Sequence, residues 1–197
     1  MGRRTLLIVV SAPSGAGKTT LCERLLAGHP DLAYSISCTT RPPRGQEQDG
    51  REYYFLTVEE FRRRLANGEF LEHAQVHGHL YGTLRSEVDA RLRSGHSVLM
   101  DIDVQGAAQI RRALPGLPPD DPIRRGFVDV FIAPPSLEAL RQRLVGRGED
   151  DASTIERRLR NAEGEMNRSG EYRHVVVNDR LDRAHAELEA VLAGEGL

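Results

Sequence analysis

A glycine-rich segment containing a single lysine carries the clearest chemistry in the chain. Residues 12–19 read APSGAGKT; they follow the apolar run LLIVV and precede a pattern typical of a helix. In a strand, glycine-rich turn and helix, backbone N–H groups surround a phosphate chain, Lys18 reaches the terminal phosphates and the Thr19 hydroxyl joins the shell of a Mg²⁺ ion. The predicted phosphate-binding positions are Ala12, Pro13, Ser14, Gly15, Ala16, Gly17, Lys18, Thr19 and Thr20.

The alternative for this segment is a plain turn between a buried strand and a helix, and Ala12 stands where the usual motif begins with glycine. The use of basic residues opposes that alternative. The chain has 27 Lys and Arg residues, and Lys18 is the only lysine. Because Lys is a slender point charge and Arg a wide planar fork, a chain that keeps Lys only here favours a nucleotide-phosphate site.

Two aspartates end a second apolar run. Asp101 and Asp103 follow the residues SVLM, which are typical of a buried parallel strand. Ligands collect at the carboxyl ends of such strands, and alternation along a strand would put both carboxylates on one face. We expect Asp101 to hold Mg²⁺ directly or through water and Asp103 to face the acceptor. Two solvated acids at a strand end are the alternative.

The middle of the chain supplies side chains suited to a phosphate monoester and to a purine base. Guanidinium forks and phenol hydroxyls donate to phosphate, and a guanine pocket needs hydroxyl or Arg donors beside a carboxylate acceptor. The phosphate candidates are Arg41, Arg44, Tyr53 and Tyr81. The guanine candidates are Ser37, Glu72, Thr83 and Asp103. For the two tyrosines, a core ring with its hydroxyl at the surface is the alternative.

A third group of arginines follows the sheet pattern. Arg143 and Arg147 are four residues apart on a predicted helix and share a face, and Arg158 lies on the next predicted helix. A closing flap with these arginines would supply positive charge to a transferring phosphoryl group and exclude water. Ordinary surface arginines are the alternative, and we expect that role for Arg141, Arg157 and Arg160.

Composition limits the class of protein. With 197 residues, 39% hydrophobic and 28% charged, the chain is typical of one domain with a core, and a net charge of −2 opposes a nucleic-acid-coating surface. No apolar run approaches a membrane span, and Cys22 and Cys38 have neither disulfide-framework nor metal spacing, which predicts a cytoplasmic protein. We predict exposed hairpin positions for three histidines, His73, His77 and His79.

The predicted fold class is α/β. Apolar strands alternate with helices in residues 1–34, 95–140 and 169–197, which predicts a parallel-sheet core flanked by helices. Residues 35–94 have polar strands and tight turns typical of an inserted α+β lobe, and residues 141–168 form a predicted helical lid. Capping boxes predict helix starts near Thr57 and Ser153, and residues 115–126 are a predicted loop.

These motifs together resemble those of guanylate kinases. The resemblance runs from Ile8 to about Leu188, and its most specific pieces are SAPSGAGKT, SCTTRPPR, DIDVQG, FIAPPS and RLVGRG. It implies a P-loop core with a GMP-binding lobe and a lid. It also implies transfer of the γ-phosphate of ATP to GMP, and to dGMP, giving ADP and GDP in purine nucleotide metabolism. ATP, GMP and Mg²⁺ are the implied small-molecule partners, with no nucleic acid or membrane and with protein partners left open.

The resemblance also implies a role for each motif residue. Ser37, Glu72, Thr83 and Asp103 would contact guanine, and Arg41, Arg44, Tyr53 and Tyr81 would hold the GMP phosphate. The lid side of the ATP phosphates would be bound by Arg143, Arg147 and Arg158. Asn178 matches a position near the adenine, and Ala12 also occurs in place of glycine within the family.

Three other functions stay open. A related kinase could phosphorylate a ribose phosphate on a similar scaffold, but the acids Glu72 and Asp103 favour a nucleotide. Guanylate-kinase-like modules without catalysis bind phosphoproteins, which the intact Lys18, Thr19 and lid arginines oppose. A nucleotide-switched binding protein would need switch loops, and the sequence offers no segment that we identify as one.

Overall fold

The computed structural model describes residues 4–76, 78–148 and 150–197. Its elements are, in chain order, β1 (Leu7–Ser11), α1 (Lys18–Gly28), β2 (Leu32–Tyr34), β3 (Cys38–Thr39), β4 (Tyr54–Phe55), α2 (Val58–Ala66), β5 (Phe70–Val76), β6 (His79–Leu84), α3 (Arg85–Arg93), β7 (Ser97–Asp101), α4 (Val104–Ala113), α5 (Pro122–Gly126), β8 (Phe127–Ala133), α6 (Leu137–Arg147), α7 (Ala152–Met166), β9 (His174–Val177) and α8 (Leu181–Glu195). Single 3₁₀ turns occur at Leu114–Gly116 and Ser169–Glu171.

The core is a parallel five-stranded sheet in the order β2-β7-β1-β8-β9. Its central strand β1 is buried throughout and apolar up to its last residue, Ser11, because both faces are covered by helices. Ile8 packs in the cluster of α1 and α8, and Val9 packs in the cluster of α3, α4 and α5. This architecture confirms the predicted α/β class. It also brings the carboxyl ends of β1 and β7 side by side, with Val10 paired to Asp101.

A second, four-stranded sheet in the order β4-β3-β6-β5 lies in the middle of the chain. β3 pairs parallel to β4, whereas β6 pairs antiparallel to both β3 and β5. Between β5 and β6 the register shifts: Phe70 pairs with Leu84, but Glu72 pairs with Thr83. The extra residue, Leu71, is buried, and a bulge of this kind re-aims the side chain that follows it. Glu72 is thereby placed beside Thr83.

Helices α6 and α7 have a small core of their own, formed by Leu140, Leu144, Ile155, Leu159 and Ala162. Helix α6 carries both Arg143 and Arg147, as predicted, and stops at Gly148, whose φ is +66°. The predicted capping box at Ser153 was wrong. Asp151 is the N-cap, accepting a 2.6 Å hydrogen bond from the Thr154 N–H, because an equally suitable cap precedes Ser153 by two residues.

A further local prediction differs from the structure. Residues 115–126 are not one loop: Asp121 caps α5 and Pro122 occupies its first position, where a missing N–H is no loss. Within residues 35–94 the first strand begins at Cys38, since β2 of the core sheet ends at Tyr34. The N-cap at Thr57 is confirmed by a 3.1 Å hydrogen bond from the Glu60 N–H.

The three predicted hairpin histidines are only partly accounted for: His73 is exposed, His79 is half-buried, and His77 lies outside the described residues. Residue 77 falls in the predicted lobe, residue 149 falls in the predicted lid, and residues 1–3 fall in the predicted core. Among the described residues, no helix is long and apolar enough to cross a membrane.

Candidate active site

The glycine-rich segment forms a loop that turns from β1 into α1. Gly15 and Gly17 have φ values of +90° and +92°, which residues other than glycine rarely adopt. Gly17 is the N-cap of α1, so the helix starts at Lys18, two residues earlier than its pattern predicted. The first N–H groups of α1 therefore face the loop interior, which suits a bound phosphate chain.

Lys18 meets Asp101 across the carboxyl ends of β1 and β7. The Lys18 ammonium group forms an ion pair with the Asp101 carboxylate, and it lies 3.4 Å from the Ile102 carbonyl oxygen. Thr19 is exposed in the first turn of α1. Mg²⁺ at a nucleotide site is usually held by one or two protein oxygens together with phosphates and waters. One hydroxyl and one carboxylate next to the lysine fit that donor set.

Asn178 and Arg143 bind the phosphate loop from behind. The buried Asn178 side chain donates a 2.7 Å hydrogen bond from Nδ2 to the Ala16 carbonyl oxygen. Arg143 of α6 donates from Nη2 to the Asn178 carbonyl oxygen at 2.6 Å, and its Nη1 lies 3.4 Å from the Ala16 oxygen. Gly17 must be glycine here for a second reason, since a Cβ atom would lie 2.4 Å from Asn178 Nδ2.

The other two lid arginines are not brought to the loop. Arg158 of α7 forms a 3.0 Å ion pair with Asp150, and Arg147 is exposed at the last position of α6. The structure therefore brings one of the three predicted lid arginines, Arg143, to the phosphate loop.

A chain of hydrogen bonds joins the polar residues of the second sheet. The hydroxyls of Ser37 and Thr83 are 3.1 Å apart, and Thr83 donates to Glu72 Oε1 at 2.7 Å. Glu72 is only 5% exposed. A buried carboxylate without a positive partner is costly unless its oxygens are hydrogen-bonded, so this arrangement calls for further donors at Glu72.

Asp103 completes the group but not in the way the strand alternation predicted. β7 ends at Asp101, and Asp103 is the N-cap of α4, where its Oδ1 accepts a 2.7 Å hydrogen bond from the Gly106 N–H. The same glycine lies against Glu72, because a Cβ atom at position 106 would stand 2.7 Å from Oε2. Burial raises the pKa of Glu72; the Thr83 hydrogen bond opposes that shift and the Asp103 charge adds to it.

The predicted phosphate ligands form a second cluster. Arg41 is 7% exposed and its guanidinium lies 5.4 Å from the centre of the Tyr53 ring, which meets the Tyr81 ring edge-on at 6.0 Å. Glu47 Oε1 accepts from Arg41 Nη2 and Oε2 accepts from the Arg44 N–H, both at 2.8 Å. The Glu47 carboxylate raises the pKa of Arg41, and Arg41 in turn lowers the pKa of Glu47.

Three residues of this region were missed in the sequence. The sequence gives no sign of a role for Glu47, because nothing in its spacing relates it to Arg41. Gly106 ends the DIDVQG motif, but its sequence context does not distinguish it from other helical glycines. Glu165 of α7 is half-buried beside a cavity of about 730 Å³ between α4 and α7. Burial raises its pKa; the Asp103 carboxylate acts in the same direction and Lys18 opposes it. Glu165 reaches the site only because it lies near the end of the long helix α7. Local sequence patterns do not reveal where the end of a helix will pack.

The fold and these clusters together define a class. A parallel sheet with a phosphate loop after its first strand, an acid beside the loop lysine and a separate polar pocket on a second sheet are the parts of a P-loop phosphotransferase with a nucleotide acceptor.

Comparison with known proteins gives the family. Residues 3–195 match the family described as Guanylate kinase. The chain is 48% identical over 187 residues to a guanylate kinase of Paraburkholderia xenovorans, covering 95% of this chain and 79% of the relative, and 44% identical over 195 residues to one of Ruegeria, covering 99% and 86%. A crystal structure of guanylate kinase from Anaplasma phagocytophilum superposes with a TM-score of 0.73 at 31% identity, covering 100% of this chain and 89% of that one. The chain belongs to the guanylate kinase family, whose members are nucleoside monophosphate kinases that transfer a phosphate from ATP to GMP and give GDP.

Proposed function

We propose that this chain transfers the γ-phosphate of ATP to GMP, and to dGMP, with the residues described above in the roles that follow. The observation that carries the proposal is the chain of hydrogen bonds from the half-buried Ser37 through the buried Thr83 to the buried Glu72, on a different sheet from the phosphate loop. A kinase for a ribose phosphate would have no use for a buried carboxylate at its acceptor site, whereas guanine brings an amino donor to it.

The acceptor roles follow from donor and acceptor chemistry. Ionised Glu72, with Asp103 close by, accepts hydrogen bonds from the N–H groups of guanine. Because each hydroxyl has a single O–H, Ser37 and Thr83 would turn from their present partners, Thr83 and Glu72, to donate to the acceptor atoms of the base. The guanidinium groups and phenol hydroxyls of the second cluster bind the GMP phosphate, and this set consists of Arg41, Arg44, Tyr53 and Tyr81. None of the contacts proposed here involves the 2′-hydroxyl of the sugar, so we expect dGMP to be accepted as well as GMP.

The donor roles belong to the phosphate loop and to α6 and α7. Residues 12–20 wrap the phosphates of ATP and, except for Pro13, can donate backbone N–H groups to them, while Asn178 holds the loop and lies near the adenine. Phosphoryl transfer asks the protein for positioning and for charge rather than for covalent chemistry. Lys18, Arg143, Arg147 and Arg158 would bear the charge that develops on the transferring group.

Mg²⁺ is part of the proposal, held by Thr19 and Asp101 with the ATP phosphates. When bound, it supplies charge neutralisation between the phosphates and fixes their geometry. Asp101 is paired with Lys18, so binding of the nucleotide and the ion would exchange that ion pair for contacts with the phosphates and the ion.

The division of the chain is proposed in the same terms. Residues 35–94 act as the GMP lobe and residues 141–168 as the lid, on a core made of the remaining segments. A cytoplasmic location and a place in purine nucleotide metabolism are the setting that this reaction implies.

The experiment is a coupled assay of ADP release with ATP and Mg²⁺, offered GMP, dGMP, AMP, CMP, UMP and ribose phosphates in turn. Turnover confined to GMP and dGMP would support both the phosphate loop and the guanine pocket. Turnover with a ribose phosphate would keep the loop and contradict the pocket. No turnover with any acceptor, with GMP still bound, would instead indicate a binding module.

A further inference from the structure

The short helix α5 is joined by an ion pair to α3, the helix that directly follows β6 of the second sheet. Asp121, its N-cap, lies 2.5 Å from Arg85 Nη2, and Arg85 is the first residue of α3. Resting on the function proposed above, we propose that Arg85 and Asp121 are a positioning pair that sets the geometry of the guanine pocket. Neither residue touches a substrate in the roles assigned above, so the pair would act through Glu72 and Thr83.

One partner of the pair is fixed in the core. Asp121 is 7% exposed, and its Oδ1 accepts from the Ile123 N–H at 2.9 Å. Ile123 is fully buried in the same cluster as Val9 of β1. At the end of α5, Gly126 lies so close to the incoming chain that a Cβ atom would be 2.5 Å from the Thr5 carbonyl oxygen. The helix is therefore an immobile support for the Asp121 carboxylate.

The other partner stands at the end of the strands that carry the pocket. Arg85 follows β6 by one residue, and its N–H donates a 2.9 Å hydrogen bond to the Glu69 carbonyl oxygen, just before β5. It thus closes the β5–β6 pair at the end where the bulge lies. That bulge, between Phe70 and Glu72, puts the Glu72 carboxylate next to the Thr83 hydroxyl.

These contacts form a continuous path from the core to the base-recognising carboxylate. Asp121 fixes the Arg85 side chain, the Arg85 backbone fixes the end of β5, and the bulge then sets the direction of Glu72. An exposed ion pair contributes little, but here one carboxylate is almost fully buried, so its partner is held in one place. A small misplacement of a positioning group costs binding and catalysis without unfolding the protein.

The test uses Arg85→Gln and Asp121→Asn. Asn is as good an N-cap as Asp, so the second variant keeps the cap of α5 and removes only the charge. Arg85→Lys keeps a charge able to make the single contact and should restore the unaltered behaviour. Arg93→Gln is the matched control, because Arg93 forms an exposed pair with Asp89 on the same helix.

Steady-state rates are measured with ATP, with GMP and with inosine monophosphate, which lacks the exocyclic amino group that Glu72 would read. In both variants we expect KM for GMP to rise roughly three- to tenfold while KM for ATP and kcat stay within about twofold. The preference for GMP over inosine monophosphate should fall by a similar factor. Arg85→Lys and Arg93→Gln should match the unaltered protein, and all melting temperatures are recorded.

Unchanged KM for GMP in both variants would overturn the proposal. Equal losses of kcat/KM for GMP, inosine monophosphate and ATP, accompanied by a lower melting temperature, would also overturn it, because they would indicate a purely structural contact. Failure of the unaltered protein to phosphorylate GMP is a separate result, since it would defeat the proposed function and this inference with it.

Discussion

The Glu72 carboxylate lies against Gly106 so closely that a Cβ atom at position 106 would stand 2.7 Å from Oε2. Gly106 is helical, so its backbone would accept alanine, and the cost of the change lies in close contacts with Glu72 and with Ile102, whose Cδ1 would be 3.2 Å from the added Cβ. Helix α4 therefore shapes the floor of the base pocket by the absence of a side chain.

Gly106→Ala should weaken GMP recognition without unfolding the protein. The added methyl displaces the Glu72 carboxylate, and we expect kcat/KM for GMP to fall on the order of tenfold or more. Gly194→Ala is the control, because Gly194 is also helical and nothing lies within 4 Å of its added Cβ. That control should raise stability by up to about 1 kcal/mol and leave the kinetics alone. Equal kinetics for the two variants would contradict the contact.

Glu72→Gln should change both specificity and the pH dependence of stability. Burial raises the pKa of Glu72 in the folded state above its ordinary value of 4.5. Folding is therefore most favourable while Glu72 is protonated, and this contribution to stability is lost as the pH rises through the folded-state pKa. The melting temperature of the neutral variant, relative to the unaltered protein, should therefore increase from acid to mildly alkaline pH. Its preference for GMP over AMP should fall. A relative melting temperature that decreases with pH would show that the carboxylate is stabilised where it lies.

Lys18→Met should abolish turnover and leave GMP binding intact, because the side chain belongs to the phosphate loop and not to the base pocket. We expect kcat to fall roughly a thousandfold or more, with the calorimetric Kd for GMP unchanged. Lys18→Arg tests the uniqueness of this lysine in an arginine-rich chain: the planar fork should restore little activity. Full activity in Lys18→Arg would mean that position 18 requires only a positive charge and not the narrow shape of lysine.

The sequence predicted well whatever depends on neighbouring residues. The run from Leu6 to Val10, the glycines at 15 and 17 and the apolar strand ending at Asp101 each combine a local pattern with a local constraint, and the sheet and the loop follow from them. The hydroxyls and carboxylates of the guanine pocket could be proposed because guanine needs that mixture of donors and acceptors, and the structure brings them together.

The remainder depended on competition or on distance. Asp151 displaced Ser153 as a cap because two suitable residues stood close together, and no local rule ranks them. Asp121 caps α5 locally, but its segment is rich in turn residues, and its ion pair with Arg85, 36 positions away, has no local signal. The Glu47 contact with Arg41 likewise joins side chains that no spacing rule relates, and the half-burial of Glu165 arises only when separate elements pack.

Arg147→Ala should separate a catalytic arginine from a structural one. Arg147 is exposed at the end of α6, so its removal should leave the melting temperature unchanged and lower kcat on the order of a hundredfold, since it would act only when the lid closes on ATP. Arg143→Ala should behave differently: its guanidinium donates to the Asn178 carbonyl oxygen at 2.6 Å, so the variant should lose stability and show a raised KM for ATP. Arg141→Ala is the control, because Arg141 lies on the same helix α6 and forms an exposed ion pair with Glu156 of α7. If Arg147→Ala retains the kcat of Arg141→Ala, then Arg147 is a solvated surface arginine. The positive charge that faces the transferring phosphate would then come from the phosphate loop and Arg143.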